Sequence, residues 1–261
     1  MRKKDKGRRN GRPSLTPDSR IHAAKIESVT VDGVTVPQEN AWATLLGVVR
    51  TKEGDLLAFP HPHIPGFYLT EAKRMRDKGR KELVHSLKHT KPGGQMGGRQ
   101  ITTQKTAVDA IRNLAVAVLL AAAGLEAIAN ECISRLEDDV TVRVERGKEM
   151  VEAPKSKMER TLSVGEKFDL VVPLVSQRPS IKGTAAWESL RRLSHMRNEI
   201  VHVKKRGQSQ DPEQPSVFGQ IVLGQTLECI DDAVNVVEAA FPDVIMDVAR
   251  EELGMANAAE K

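Results

Sequence analysis

The sequence predicts a mainly α-helical protein, an antiparallel four-helix bundle preceded by a small β-containing N-terminal region. Hydrophobic residues make up 39% of the 261 residues and aromatics only 3%. The core must therefore be Leu, Val, Ile and Ala, which favours helix packing over aromatic-rich strands. Beyond residue 100, four long segments place apolar residues at helical spacing. Before it, Asp32-Gly33 separates two alternating runs, the signal of a two-residue hairpin.

The order of elements follows from local chemistry. Residues 1–22 read as a basic, disordered tail. Residues 23–100 form a small α+β region: the hairpin over 25–37, further strand around the Glu-Gly turn in Thr51–Asp55, and a basic helix over 70–89. Between them, His61-Pro62-His63-Ile64-Pro65-Gly66 is expected to be a turn or connector, because two prolines and a glycine break helix. Pro92 and the glycines 93, 94, 97 and 98 then make a link.

The bundle is assigned to 101–250, with a tail over 251–261. Its first helix spans Thr103 to about Asp138 and is Ala-rich, and Ala is the best helix former. Gly124 within it marks a close helix crossing. Residues 139–153 alternate around Gly147 as a hairpin-like excursion, with Gly147–Lys157 exposed. A second helix covers Lys155–Val175, ended by Pro173. A third covers Thr184–Val203, with Trp187 in the core. After a polar loop over 204–216, a fourth covers Val217–Phe241, and a short helix follows over 243–253.

The formal charge of +5 is unevenly placed. Residues 1–12 carry seven basic side chains against one acid, so the rest of the chain is near neutral. Such a block is either a nucleic-acid arm or a solubilising extension. A second basic stretch, 71–100, holds nine Lys or Arg against three acids. On its helix Lys73, Arg74, Arg76, Lys78, Arg80 and Lys81 are candidates for RNA backbone contact, and a solvated face is the alternative. Two cysteines, Cys132 and Cys229, in apolar patterns, and no apolar run after the basic N-terminus, point to a reducing cytoplasmic setting. The longest apolar run, Leu114–Leu125, has twelve residues. A membrane span needs about 20, so a buried helix and no membrane association are expected.

The chemistry concentrates in Arg197-Asn198-Glu199-Ile200-Val201-His202. Arginine holds phosphate, and histidine moves a proton near neutral pH. On a regular helix the Arg and His lie about 140° apart. They meet on one phosphate only if the helix ends between them or a second copy supplies the other half. His195, Asn198 and His202 share a face. Lys204, Lys205 and Arg206 follow and add positive field. The same residues also suit a purely structural role, since a helix C-terminus favours cations. No compact His, Cys, Asp and Glu set has metal-ligand spacing. His61 and His63, with His85 and His89, lie in a basic, cysteine-free setting that repels a cation.

The run Trp187-Glu188-Ser189-Leu190 followed by Arg197-Asn198 and His202 resembles the signature of HEPN domains (higher eukaryotes and prokaryotes nucleotide-binding). Leu125-Glu126-Ala127-Ile128-Ala129-Asn130-Glu131 is similar to the first helix of many such domains, where an acid and an amide face the site. The resemblance covers about 103–241 and implies a four-helix bundle. It also implies a homodimeric endoribonuclease that cleaves RNA with no metal or other cofactor. Arg197 would bind the scissile phosphate, His202 would act as general base or acid, and Asn198 would orient either. Glu126, Asn130 and His195 would support them. The family's usual settings imply a defence or toxin-like role with an antitoxin or regulatory partner. Other HEPN domains are non-catalytic nucleic-acid-binding or dimerisation modules, and that is the alternative.

Overall fold

The structure, a computed structural model, describes residues 18, 20–21, 23–31, 34–89, 99–101, 104–202, 215–224, 226–245 and 247–255. The basic run of residues 1–12, the 92–98 link and Lys204, Lys205 and Arg206 lie outside these residues. The described chain is mainly helical, with small antiparallel strand pairs.

The first pair is β1 (Ala23–Val31) and β2 (Val34–Thr44). Val31 faces Val34, which leaves Asp32 and Gly33 between the strands as the hairpin signal requires. A second hairpin joins β3 (Leu46–Arg50) to β4 (Leu56–Pro60) through a turn with Gly54 at φ +96°. Residues 18, 20 and 21, read as tail, are anchored instead. Arg20 donates to Glu71 at 2.8 Å, and its carbonyl accepts from the His63 N–H at 3.1 Å.

The first helix, α1 (Ile64–Ser86), begins inside the segment expected to be a connector. Pro65 is tolerated because the first turn of a helix has no partner for its missing N–H. His63, expected on a solvated loop, is buried here and acts as the cap. Its Nδ1 accepts from the Gly66 N–H at 3.2 Å, and its carbonyl accepts from Phe67 at 2.8 Å.

After the short pair β5 (Leu87–His89) and β6 (Arg99–Ile101), α2 (Gln104–Arg135) runs through the centre of the molecule. By length and composition it could cross a membrane, but here it packs on α1 and on two later helices. The α1–α2 crossing is reciprocal. A Cβ on Gly124 would lie 2.7 Å from Leu69, and a Cβ on Gly79 would lie 2.7 Å from Leu114. Each helix sets a leucine onto the other's glycine, so the backbones approach closely. Gly124 therefore marks the crossing expected of it.

The excursion after α2 is a hairpin of β7 (Thr141–Arg146) and β8 (Glu149–Pro154), turning at Gly147. Its strands bury Val142, Val144 and Ala153. Residues 147–157, expected to be an exposed loop, are mostly exposed but form the turn, β8 and the start of α3 rather than a loop. The expected helix over Lys155–Val175 is broken. It divides into α3 (Lys155–Thr161), α4 (Val164–Glu166), a π-helical turn (Lys167–Val171) and α5 (Val172–Ser176). Ser163 restarts the chain through a capping box with Glu166. Pro173 opens α5 rather than ending a long helix, and the Val172 N–H reaches back five residues to the Lys167 carbonyl. Next, α6 (Ala185–Val201) is capped by Thr184, close to its expected bounds. The expected fourth helix is two, α7 (Val217–Val222) and α8 (Cys229–Ala240), separated where Gly224 takes φ +83°. A 3₁₀ turn at Pro242–Val244 leads to α9 (Asp247–Leu253).

The main core joins α2, α6 and α8 through Val118, Leu125, Ile128, Leu190, Leu193, Ile230 and Val237, with Leu69 of α1. An Arg192–Asp232 ion pair ties α6 to α8, with Nε donating at 2.8 Å to a carboxylate that is itself buried. Burial pushes the thiols of Cys132 and Cys229 up to about 12, so both are unreactive hydrophobic groups in the fold.

Two predictions follow from this packing. Gly124→Ala gains about 1 kcal/mol of helix propensity but drives a methyl into Leu69. The variant is expected to unfold at lower denaturant, with a net loss of about 1–2 kcal/mol; equal or greater stability would contradict the close crossing. Native protein at pH 8 is expected to leave both thiols unmodified by an aromatic disulfide reagent over minutes. Both should react at once in denaturant.

Candidate functional site

A groove of about 1010 Å³ opens between α2, the Leu162–Gly165 restart and α6. Arg197 and Asn198 stand exposed on its α6 wall, with His195 about one turn before Asn198. Arg197 Nη1 donates to Asn198 Oδ1 at 2.9 Å, so the amide steers the guanidinium. Glu126 of α2 lines the same groove. Trp187, expected in the core, is only half-buried. It lines the groove and lies over Gly165, where a Cβ would come within 3.3 Å of the ring.

His202 is not among the residues lining this groove. It is the C-cap of α6, with φ −115° and ψ 61°, and its N–H donates to the Asn198 carbonyl at 2.9 Å. The helix therefore ends between Arg197 and His202, one of the two conditions for their convergence. Within one copy, the structure brings Arg197, Asn198, His195 and Glu126 together and leaves the exposed His202 at the helix end.

Asn130, one turn beyond Glu126, lines a second cavity of about 580 Å³ that shares Ala123 and Glu126 with the groove. Beneath the two side chains lies Lys167, fully buried, at the start of the π turn. Its Nζ donates to Asn130 Oδ1 at 2.8 Å and lies 3.8 Å from Glu126 Oε1. A buried charge needs such partners, and π turns are frequent at functional sites. Sequence reasoning missed Lys167 because it placed the residue on a regular helix. The available signal was the Ser163–Glu166 capping box, which makes Lys167 the first residue of a new turn rather than one of a continuous row.

The Glu166 carboxyl secures that restart. Burial opposes its ionisation. The Ser163 N–H at 2.7 Å, the Ser163 hydroxyl at 2.8 Å and Arg146 at 3.0 Å outweigh it, holding the group below its ordinary value of 4.5.

The basic face of α1 divides. Lys73 donates to the Glu252 carbonyl, Arg74 pairs with Glu71 and Glu252, and Arg76 pairs with Asp77 and Asp231. These three hold the α1 surface against α8 and α9. Lys78, Arg80 and Lys81 are exposed, and no ion pair among the described residues engages them.

The chain matches no family model, no curated protein and no solved structure.

A carboxyl whose pKa is lowered by folding stabilises above its unfolded pKa, and that contribution is lost as pH falls through the folded value. Glu166→Gln is therefore expected to be less stable than wild type at neutral pH. It should also lose less stability than wild type on acidification from about pH 5 to pH 3. Urea unfolding at the two pH values measures this, and parallel losses in the two proteins would contradict the role given to Glu166.

Proposed function

We propose that the protein is a HEPN-like, metal-independent endoribonuclease that works as a homodimer on a four-helix bundle of α2, the broken α3–α5 segment, α6 and α8. One observation carries this reading: Arg197 and Asn198 stand side by side on an open groove, at the end of the helix that His202 caps. A phosphodiester seated on Arg197 has its charge neutralised there, and the guanidinium holds the extra charge that builds on phosphorus. His202 removes the proton from the ribose 2′-hydroxyl. The freed oxygen attacks phosphorus, and the bond to the 5′-oxygen breaks. That oxygen takes up a proton, and a 2′,3′-cyclic phosphate remains. A positioned imidazole contributes roughly 10²–10⁴-fold in such a step. Across the two-fold axis of a dimer, a second copy brings its His202 to this groove, and the same imidazole returns the proton to the leaving 5′-oxygen. Lys78, Arg80 and Lys81 offer further positive charge to the RNA backbone.

The test is RNA cleavage by purified protein in EDTA. Wild type is expected to cut and to leave 2′,3′-cyclic phosphate ends, while Arg197→Ala and His202→Ala lose about 10²-fold or more with unchanged thermal unfolding. Absence of cleavage, with salt-sensitive RNA binding retained, would replace the nuclease with a binding module.

A further inference from the structure

The second cavity has a composition that suits a planar base. Pro62, Ile64, Pro65 and Tyr68 make apolar walls; Glu126 and Asn130 line it from α2 beside Glu131, which is paired with Arg135, and His61 and His63 complete the polar lining. Tyr68 is held in place. Phe67 meets it edge-on at 5.7 Å between centroids, and its Cβ lies 3.4 Å from where a Cβ on Gly124 would be. Tyr68 thus packs beside Gly124, two residues before Glu126, and lines the same cavity as that acid. Apolar walls beside an aromatic ring are how proteins hold an unstacked nucleobase.

The polar side has a defined hydrogen-bond sense. Lysine only donates, so the Asn130 atom facing Lys167 must be the oxygen, and the Nδ2 hydrogens are left as donors. No described residue accepts from them. Glu126, within 3.8 Å of the same ammonium, presents carboxylate oxygens, which only accept when ionised. One turn apart on α2, the two side chains reach the same edge of a ligand. The pattern offered is two acceptors beside one donor.

We infer that this cavity is a guanine-selective subsite. On its pairing edge guanine has two adjacent donors, N1–H and the exocyclic amine, beside the O6 acceptor. The Glu126 carboxylate takes both donors, and Asn130 Nδ2 donates to O6. Adenine and cytosine present a ring-nitrogen acceptor where guanine has N1–H, and the carboxylate repels it. Uracil has a single donor there. Because Ala123 and Glu126 line both cavities, a base in this slot belongs to a nucleotide next to the phosphate on Arg197. Lys167 is a positioning residue that acts through Asn130 and Glu126. The inference rests on the proposal that the groove holds an RNA phosphate.

The test reads binding, not cleavage. The full chain in EDTA is titrated calorimetrically with 3′-GMP, 3′-AMP, 3′-CMP and 3′-UMP. GMP is expected to bind about ten- to hundred-fold more tightly than the other three, the discrimination of one good bidentate pair. Glu126→Gln and Asn130→Asp should each bring GMP down to the level of the others, while Arg197→Ala weakens all four and keeps their order. Equal binding of the four nucleotides, a GMP preference unchanged in Glu126→Gln, or no GMP binding at millimolar concentration overturns the subsite. Guanine preference without RNA cleavage keeps the subsite and overturns the nuclease. Cleavage indifferent to the neighbouring base, with equal nucleotide binding, does the reverse.

Discussion

The close crossing of α1 on α2 is the constraint on which the rest depends. Gly124 under Leu69 and Leu114 over Gly79 let two helices approach at the distance small residues allow. Side chains larger than hydrogen at either glycine would push the axes apart. The crossing puts the start of α1, with Tyr68 and the Pro62–Pro65 turn, beside the stretch of α2 that carries Glu126 and Asn130. It also leaves the opposite side of α2 free for α6 and α8, whose Leu190, Leu193, Ile230 and Val237 complete the core.

The second organising feature is a charge in that core. Lys167 would be on a solvent-facing or regular helical row if residues 155–175 were one helix. The stop at Leu162, the capping box at Ser163–Glu166 and the wider π turn rotate it inward instead. Burying an ammonium is unfavourable without compensation, and α2 supplies an amide oxygen and a carboxylate. The buried lysine consequently fixes which way an amide and an acid on the rim of two cavities can face. In the subsite we propose, a stabilising contact and a recognition pattern are the same interaction.

Much of the architecture was legible in local chemistry. The Asp32-Gly33 hairpin, the turn at Gly54, the Ala-rich α2, the Thr184 cap of α6 and the meaning of Gly124 all rest on signals confined to a few neighbouring residues. The failures were also local in origin. Periodicity alone carried the second and fourth helices through Ser163 and Gly224, although a capping box and a glycine at positive φ stood in the way. Pro65 and Gly66 were taken as helix breakers, although a first turn accepts both when His63 caps it. The basic row of α1 could not be divided from sequence. Whether Arg74 meets phosphate or Glu252 depends on where the chain returns some 180 residues later.

The sequence by itself determined the helical class, the α6 segment that carries Arg197, Asn198 and His202, and the burial of both cysteines, because each follows from composition or short-range spacing. Tertiary structure decided which of those residues share a cavity. It placed Arg197 and Asn198 on a groove with Glu126, left His202 at the helix end, and set Lys167 beneath Asn130. The physical reason is that spacing along one helix sets only the direction of a side chain. What it meets depends on the crossing of helices distant in sequence and on the one turn whose pitch departs from the α-helix.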